Sequence, residues 1–264
     1  MKPFWHKFKS FFHWSKSSYI ILSSFLLVIF LIGYIWWPLL REYAATYRSD
    51  LPFWAQMDWL LLMDFLIMTI LIIFNADLKR DIPLAAIALV GGLLIEAWGT
   101  QTELWTYYTN ERPPLWIIPA WPIAFLSVNR LVQLIDHLLP KLSRRLVEIS
   151  YWVVFSGFYI LMLFYIWPTI SNLLSIAAII LCAMLILTNS NKKYALFYLL
   201  AGSGLGYFLE LWGTSRACWT YYSHETPPLF AVFAHGFAAF AVWQFYQFAI
   251  SIFGLIRKRI PLKS

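Results

Sequence analysis

Residues 96–115 read EAWGTQTELWTYYTNERPPL, and residues 210–229 read ELWGTSRACWTYYSHETPPL. Twelve of the 20 positions are identical, without a gap, at an offset of 114. The register continues upstream through Gly92/Gly206, Lys79/Lys193 and Asn75/Asn189. Further back, the Tyr-Ile-Trp-Trp-Pro of residues 34–38 parallels the Tyr-Ile-Trp-Pro of residues 165–168, with the spacing shifted. Self-similarity at a fixed offset is the signature of a repeated architecture.

The sequence around the two copies is apolar. Of 264 residues, 61% are hydrophobic, 20% aromatic and only 12% charged, and the mean hydropathy is +0.67. Soluble domains carry about 45–50% apolar and about 25% charged residues, so a soluble globular enzyme and a disordered chain are excluded. A spanning helix needs about 20 mostly apolar residues. Eight stretches qualify: 19–40, 55–75, 82–101, 114–139, 148–168, 170–188, 195–214 and 227–256. None shows the strict alternation over about 10 residues that a barrel strand would.

The expected fold is therefore an all-α polytopic membrane protein of about eight transmembrane helices. An interfacial helix over 1–18 precedes repeat 1 (19–140), a cytoplasmic linker (141–147), repeat 2 (148–256) and a basic tail (257–264). Each repeat holds four spans. Four is even, so the two repeats are expected to run parallel, with their pseudo-axis along the membrane normal.

The net charge of +7 sorts by loop rather than pointing to nucleic acid. Fifteen Lys and Arg fall in the termini and the connections on one side, four fall on the other, and Arg130 lies within a span. This bias puts both termini in the cytoplasm and the repeated motif on the extracytoplasmic side, in a plasma membrane. Lys2, Lys7, Lys9 and Lys16 alternate with Phe4, Phe8, Phe11 and Phe12 in the interfacial segment. No small-residue cleavage site follows, so the segment reads as an uncleaved anchor. Cys182 lies in an apolar run and Cys218 in a polar connection, which makes a disulfide between them an unfavourable expectation.

Each motif begins near the outer end of a span. Ala88, Gly92, Glu96, Gly99 and Thr100 recur at i, i+4, i+8, i+11 and i+12, and Gly202, Gly206, Glu210, Gly213 and Thr214 do the same. These positions share one helix face. Small residues on such a face let another helix approach closely. A Glu set in that stripe is costly to desolvate and marks a candidate site. The plainer reading is a Glu that snorkels to water beside belt aromatics. Belt aromatics, however, do not require Trp-Thr-Tyr-Tyr at a fixed distance from Glu-x-Trp-Gly-Thr, twice over.

Glu96, Glu210 and His235 are thus the catalytic candidates. The substrate-binding candidates are Trp98, Thr100, Trp105, Tyr107 and Tyr108, with their counterparts Trp212, Thr214, Trp219, Tyr221 and Tyr222. Gly92, Gly99, Gly206 and Gly213 are assigned structural roles. So are Pro113, Pro114, Pro227 and Pro228, the pairs expected to end the loop and start the next helix. Asp64 and Arg130 are candidates to neutralise each other within the spans. No Walker loop, dinucleotide fingerprint or metal-ligand spacing is present, so no cofactor and no metal are expected.

Carboxylic acids beside many aromatic faces suit acid-initiated alkene chemistry. The acid protonates a double bond, and the rings stabilise the cation. The pattern Glu96, Gly99, Trp105, Tyr107 and Pro119, echoed at Glu210, Gly213, Trp219 and Tyr221, resembles membrane carotenoid-modifying families. These are the bacterioruberin-type carotenoid hydratases and, more distantly, the small lycopene cyclases. The resemblance covers the motif regions, and Pro-Ala-Trp-Pro at 119–122 stands where the cyclases carry Pro-Glu-Glu. It implies hydration or cyclisation of a lipophilic isoprenoid substrate near the outer face. Two other readings stand beside it: a transporter or binding protein for a proton or cationic ligand, and a non-catalytic membrane scaffold. Oligomeric state is not legible in the sequence.

Overall fold

Asp and Asn side chains set the starts of four helices. Asp58 accepts from the Leu61 amide at 3.3 Å, and Asp77 from Lys79 at 3.0 Å. Asn172 accepts from Leu174 at 2.9 Å, and Asn191 from Tyr194 at 3.4 Å. Each satisfies an amide that a first helical turn leaves open. Asp58/Asn172 and Asp77/Asn191 are both related by the offset of 114. The copied register therefore reaches further upstream in capping chemistry than in residue identity.

The structure, a computed structural model, describes residues 14–259, with side chains described as far as residue 252. The interfacial helix expected over 1–18 and the tail expected over 257–264 fall mostly outside the described residues. Among the described residues there are nine α-helices. They are α1 (Lys16–Ile35), α2 (Trp37–Ala45), α3 (Trp59–Ile73), α4 (Leu78–Gln101), α5 (Ala120–Leu138), α6 (Arg144–Tyr165), α7 (Leu173–Thr188), α8 (Lys192–Ser215) and α9 (Leu229–Arg259). Two short strands follow α4 and α8: β1 (Trp105–Tyr107) and β2 (Trp219–Tyr221).

Five helices, α1, α4, α6, α8 and α9, are long and apolar enough to cross a membrane. Large apolar side chains such as Phe30, Phe164 and Leu187 stand open on the outside, as suits a bilayer better than water. Two more apolar helices are short, α3 at 15 and α7 at 16 residues. α5 is diluted by polar residues, but Ser127, Asn129 and Arg130 are buried inside the bundle.

Two boundaries differ from the sequence reading. The first apolar stretch is broken at Trp36, and α2 starts afresh with Pro38 in its first turn, because a proline lacks the amide that a continuing helix needs. The fourth stretch becomes helical only at Ala120, behind Pro119. Pro113 and Pro114 therefore do not start α5, whereas Pro227 and Pro228 directly precede α9.

Four helices make the centre. α4 packs on α5 and α8 on α9, and the cross-pairs α4–α9 and α5–α8 close the group. Those two cross-pairs exchange under the 114 offset. The outer helices do not follow this exchange: α3 lies against α5 and α8, while in the other half it is α6 that lies against α8 and α9. α8 and α9 approach closely at Gly202 and Gly236, where an added Cβ would sit 2.7 Å from Gly236 Cα and 2.3 Å from the Leu199 carbonyl oxygen respectively.

Arg130 is not paired with Asp64. Its Nη2 donates to Asp81 Oδ2 at 2.5 Å, and its Nε donates to the Phe74 carbonyl at 2.8 Å. It thus ties α5 to the turn between α3 and α4, a role that a depth argument confined to the span interiors overlooks.

Candidate functional site

The two motif copies have the same backbone. Glu103 and Ala217 both have positive φ, as do Asn110 and His224. The peptide bonds Arg112–Pro113 and Thr226–Pro227 are both cis. Each copy turns back after its helix and contributes one strand, and the two strands pair antiparallel. Trp105 lies opposite Tyr221, Thr106 opposite Thr220 and Tyr107 opposite Trp219. This register is unchanged when the copies are swapped, as a local two-fold axis requires.

Alternation along a strand puts Trp105 and Tyr107 on one face, and Trp219 and Tyr221 likewise. That face meets the Glu of the same copy. Trp105 Nε1 donates to Glu96 Oε2 at 3.0 Å, and the Tyr107 hydroxyl donates to Oε1 at 2.9 Å. Trp219 Nε1 donates to Glu210 Oε2 at 2.9 Å, and the Tyr221 hydroxyl donates to Oε1 at 2.8 Å. The third partner comes from the following helix and differs between the copies. Trp121 Nε1 donates to Glu96 Oε1 at 3.2 Å, whereas His235 Nε2 lies 2.8 Å from Glu210 Oε1. Trp121 and His235 are equivalent under the offset, and their rings stack on each other at 5.8 Å. Trp105 also touches Tyr221, and Tyr107 touches Trp219, each pair with centroids 5.8 Å apart. Both carboxyls, 4% and 3% exposed, are held in one aromatic box.

The glycine stripe explains how the box fits. A Cβ on Gly99 would fall 1.9 Å from the Trp105 ring, and one on Gly213 would fall 2.0 Å from the Trp219 ring. A Cβ on Gly92 would meet Trp121 at 2.2 Å, and one on Gly206 would meet His235 at 2.4 Å. Each of the four glycines is the seat of one ring that bonds the neighbouring Glu. Another helix therefore approaches closely at two of these four, and a strand ring fills the other two. Gly92 and Gly206 admit one side chain from the next helix, and Gly99 and Gly213 admit an indole from their own copy's strand.

This predicts a graded glycine series. Gly99→Ala and Gly213→Ala should each lower stability by about 2–4 kcal/mol, from overpacking plus a lost charged hydrogen bond. Gly33, Gly157 and Gly204 have nothing within 4 Å of an added Cβ. Alanine there should be neutral or stabilising by up to about 1 kcal/mol. Thermal unfolding of the purified variants in detergent tests this, and equal melting temperatures across both sets would refute the seating argument.

Both carboxyls line one cavity of about 200 Å³. Trp98, Trp105, Tyr107, Trp212, Trp219, Tyr221 and His235 line it too, as do Trp36, Asp64 and Trp121. Trp98 Nε1 bonds Ser175 Oγ at 3.2 Å, and Trp212 Nε1 bonds Asp58 Oδ2 at 2.9 Å, so each indole is anchored on the opposite half. Four expected binding residues are placed elsewhere. Thr100 and Thr214 turn back to the carbonyls of Glu96 and Glu210, each at 2.6 Å. Tyr108 bonds the Ile35 carbonyl and Tyr222 the Tyr165 carbonyl, each joining its loop to the end of its half's first helix. These four serve the frame. Of the residues that the sequence did not single out for the site, Trp121 was signalled only by its match to His235.

Among the described residues no cluster of His, Cys, Asp and Glu could hold a metal ion. Compared with protein-family models, curated proteins and solved structures, the chain matches none. The chemistry of the cavity has to be read from its own side chains.

Proposed function

We propose that the chain is an integral membrane enzyme that takes the end of a lipophilic, isoprenoid-like molecule into the cavity. There it begins hydration or cyclisation by protonating an alkene. The observation that carries this reading is the Trp121/His235 difference within an otherwise duplicated box. Glu96 meets two indole N–H groups and a phenol, donors that suit a standing carboxylate. Glu210 meets an imidazole in place of the second indole, and an imidazole can supply a proton. Two carboxyls in matched frames with different third partners are a basis for dividing acid from stabiliser.

In the proposed step an imidazolium at His235 passes its Nε2 proton to Glu210 Oε1, and Glu210 delivers it to one alkene carbon. The π pair forms the new C–H bond. The cation left on the other carbon faces indole rings and the Glu96 carboxylate. In a cyclisation the π pair of a second double bond forms the ring C–C bond, and the relocated cation then loses a neighbouring proton to the Glu210 carboxylate. In a hydration a water oxygen forms the C–O bond and its extra proton returns to that carboxylate.

The cavity volume limits the substrate. Pockets that enclose drug-sized ligands hold about 300–1,000 Å³. At roughly 30 Å³ per heavy atom, the share of a water in the liquid, this cavity takes about seven. A long polyene would insert only its terminus and leave the remainder in lipid.

The membrane frame proposed with this reading has eight crossings in two parallel four-helix halves, with both termini cytoplasmic and the motif outside, in a plasma membrane. Support comes from helices at all eight apolar stretches. It comes also from the short α3 and α7 at corresponding places in the two halves, a recurring mark of binding sites in repeated membrane folds. In a cysteine-free background, Glu111→Cys is expected to react with a membrane-impermeant maleimide from outside the cell, and Lys141→Cys only after lysis. Reaction of both from one side would overturn this topology.

A second reading is favoured by the charge of the wall. Glu96, Glu210 and Asp64 outnumber one imidazole there, which suits a proton-coupled or cation-binding transporter. It also needs a polar route to the other face, and Arg130 is committed to Asp81. The scaffold reading fits the fully bonded carboxylates but not a cavity beside them.

A further inference from the structure

Asp64 is the one acid of the cavity wall that neither motif copy supplies. It sits on α3, whose Leu61, Asp64, Phe65 and Met68 all line the cavity. That i, i+3, i+4, i+7 spacing is one helix face. Asp64 is 4% exposed, and its buried Oδ2 meets no hydrogen-bond partner among the described residues. The equivalent position in the other half is Ala178, so the frame of the repeat does not call for an acid there. A buried carboxyl with no partner is unfavourable, and it persists best where a ligand provides the missing bond.

Its level in the bundle is distinct from that of the Glu pair. Asp58 caps α3 and accepts from Trp212 of α8 at 2.9 Å, and at about 1.5 Å per residue Asp64 lies roughly 9 Å further in along α3. By the same rise Glu210 lies roughly 3 Å in from Trp212 along α8, so roughly 6 Å separates the two levels. An extended chain advances about 1.2 Å per bond, so about five bonds cover that distance. Such a chain with its two end groups comes to about seven heavy atoms, which a cavity of about 200 Å³ takes.

We infer that Asp64 binds a hydrogen-bond donor, a hydroxyl or an ammonium, carried on a short apolar chain about five bonds from the group that meets Glu96 and Glu210. This rests on the reading that the cavity holds a lipophilic ligand. It adds to that reading the class of molecule: a chain with a polar donor at its inner end.

The test uses the full-length protein in lipid nanodiscs and three ω-brominated probes: hexanol, hexylamine and hexane. Bromine quenches indole fluorescence, and the bromine end would lie among the cavity tryptophans. Wild type is expected to bind the alcohol or the amine about tenfold or more tightly than the alkane, the size of one hydrogen bond to a charged group. The preferred probe identifies the donor. Asp64→Leu fills the position without a polar group, should melt no lower than wild type, and should bind all three probes alike. Equal binding of the three probes to wild type would overturn the donor inference and leave the lipophilic cavity standing. A preference that survives in Asp64→Leu would do the same. Failure of every probe to bind wild type would overturn both.

Discussion

Replacing Glu210 with Gln is expected to abolish the product of the proposed reaction in an expressing host, a loss of about 10²–10⁴-fold if general acid catalysis is removed. Gln keeps the shape but offers no proton. It also turns an amide N–H₂ toward donors that now bond carboxylate oxygens, Trp219 Nε1 on Oε2 and the Tyr221 hydroxyl on Oε1. The sharper variant is His235→Trp. It rebuilds on Glu210 the arrangement that Glu96 already has with Trp121, and Gly206 leaves the same room under the ring as Gly92 does. The protein should therefore fold, bind and fail to react, with a loss of about 10²-fold or more. Glu96→Gln should weaken stabilisation of the cation without removing the proton source, so residual product is expected. Profiles of neutral lipids and pigments, compared with a strain lacking the gene, provide the readout. Unchanged profiles for Glu210→Gln and His235→Trp would exclude the enzyme reading.

Arg130→Met is expected to produce the largest loss of stability, about 3–5 kcal/mol, the usual cost of removing one partner from a buried ion pair. Arg130 and Asp81 have side chains 0% and 1% exposed. Without the guanidinium, Asp81 retains Arg80 Nε at 3.1 Å and the Asp77 amide at 2.9 Å, but the Phe74 carbonyl loses its Arg130 donor. Arg130→Lys should rescue little. One ammonium cannot reproduce the fork that reaches the carboxylate with Nη2 and the carbonyl with Nε. Equilibrium unfolding in detergent gives the comparison. A loss below about 1 kcal/mol would mean that water, rather than protein, satisfies this end of the bundle.

The parts of this arrangement legible in the sequence are those that the two halves copy. Glu-x2-Gly and Trp-x-Tyr at a fixed spacing located both carboxyls, four of their six ring partners and the glycines beneath the indoles. Identity was a poorer guide where chemistry can be kept by a different residue. Asp58/Asn172 and Asp77/Asn191 cap the same helix starts with different letters. Where the halves differ, copying gives no help at all. Trp121 and His235 share a position, a glycine seat and a carboxylate, yet an indole and an imidazole have nothing in common as a pattern. Arg130 found its partner in the first turn of α4, because an extended side chain reaches a helix end as readily as a mid-span acid. Tyr108 and Tyr222 lie away from the cavity wall for a related reason. An aromatic near a membrane edge reports depth, while the atom its hydroxyl touches is decided by how the loop folds back onto α1 or α6.

The strand pairing has a consequence for assembly. Among the described residues β1 has no neighbour from its own copy, and β2 has none either; each is the other's complement along Thr106 and Thr220. A polypeptide ending near residue 140 would present a bare strand edge with the same sequence as the edge it needs, and its natural complement would be a second identical molecule. Two such molecules would form a symmetric box with an indole on both carboxyls. Fusing the halves into one chain is what allows a single position to become His while its twin remains Trp. The join between the halves is thus the structural licence for inequality at the centre, and co-expressed halves of this chain should recover the unequal box only as the mixed pair.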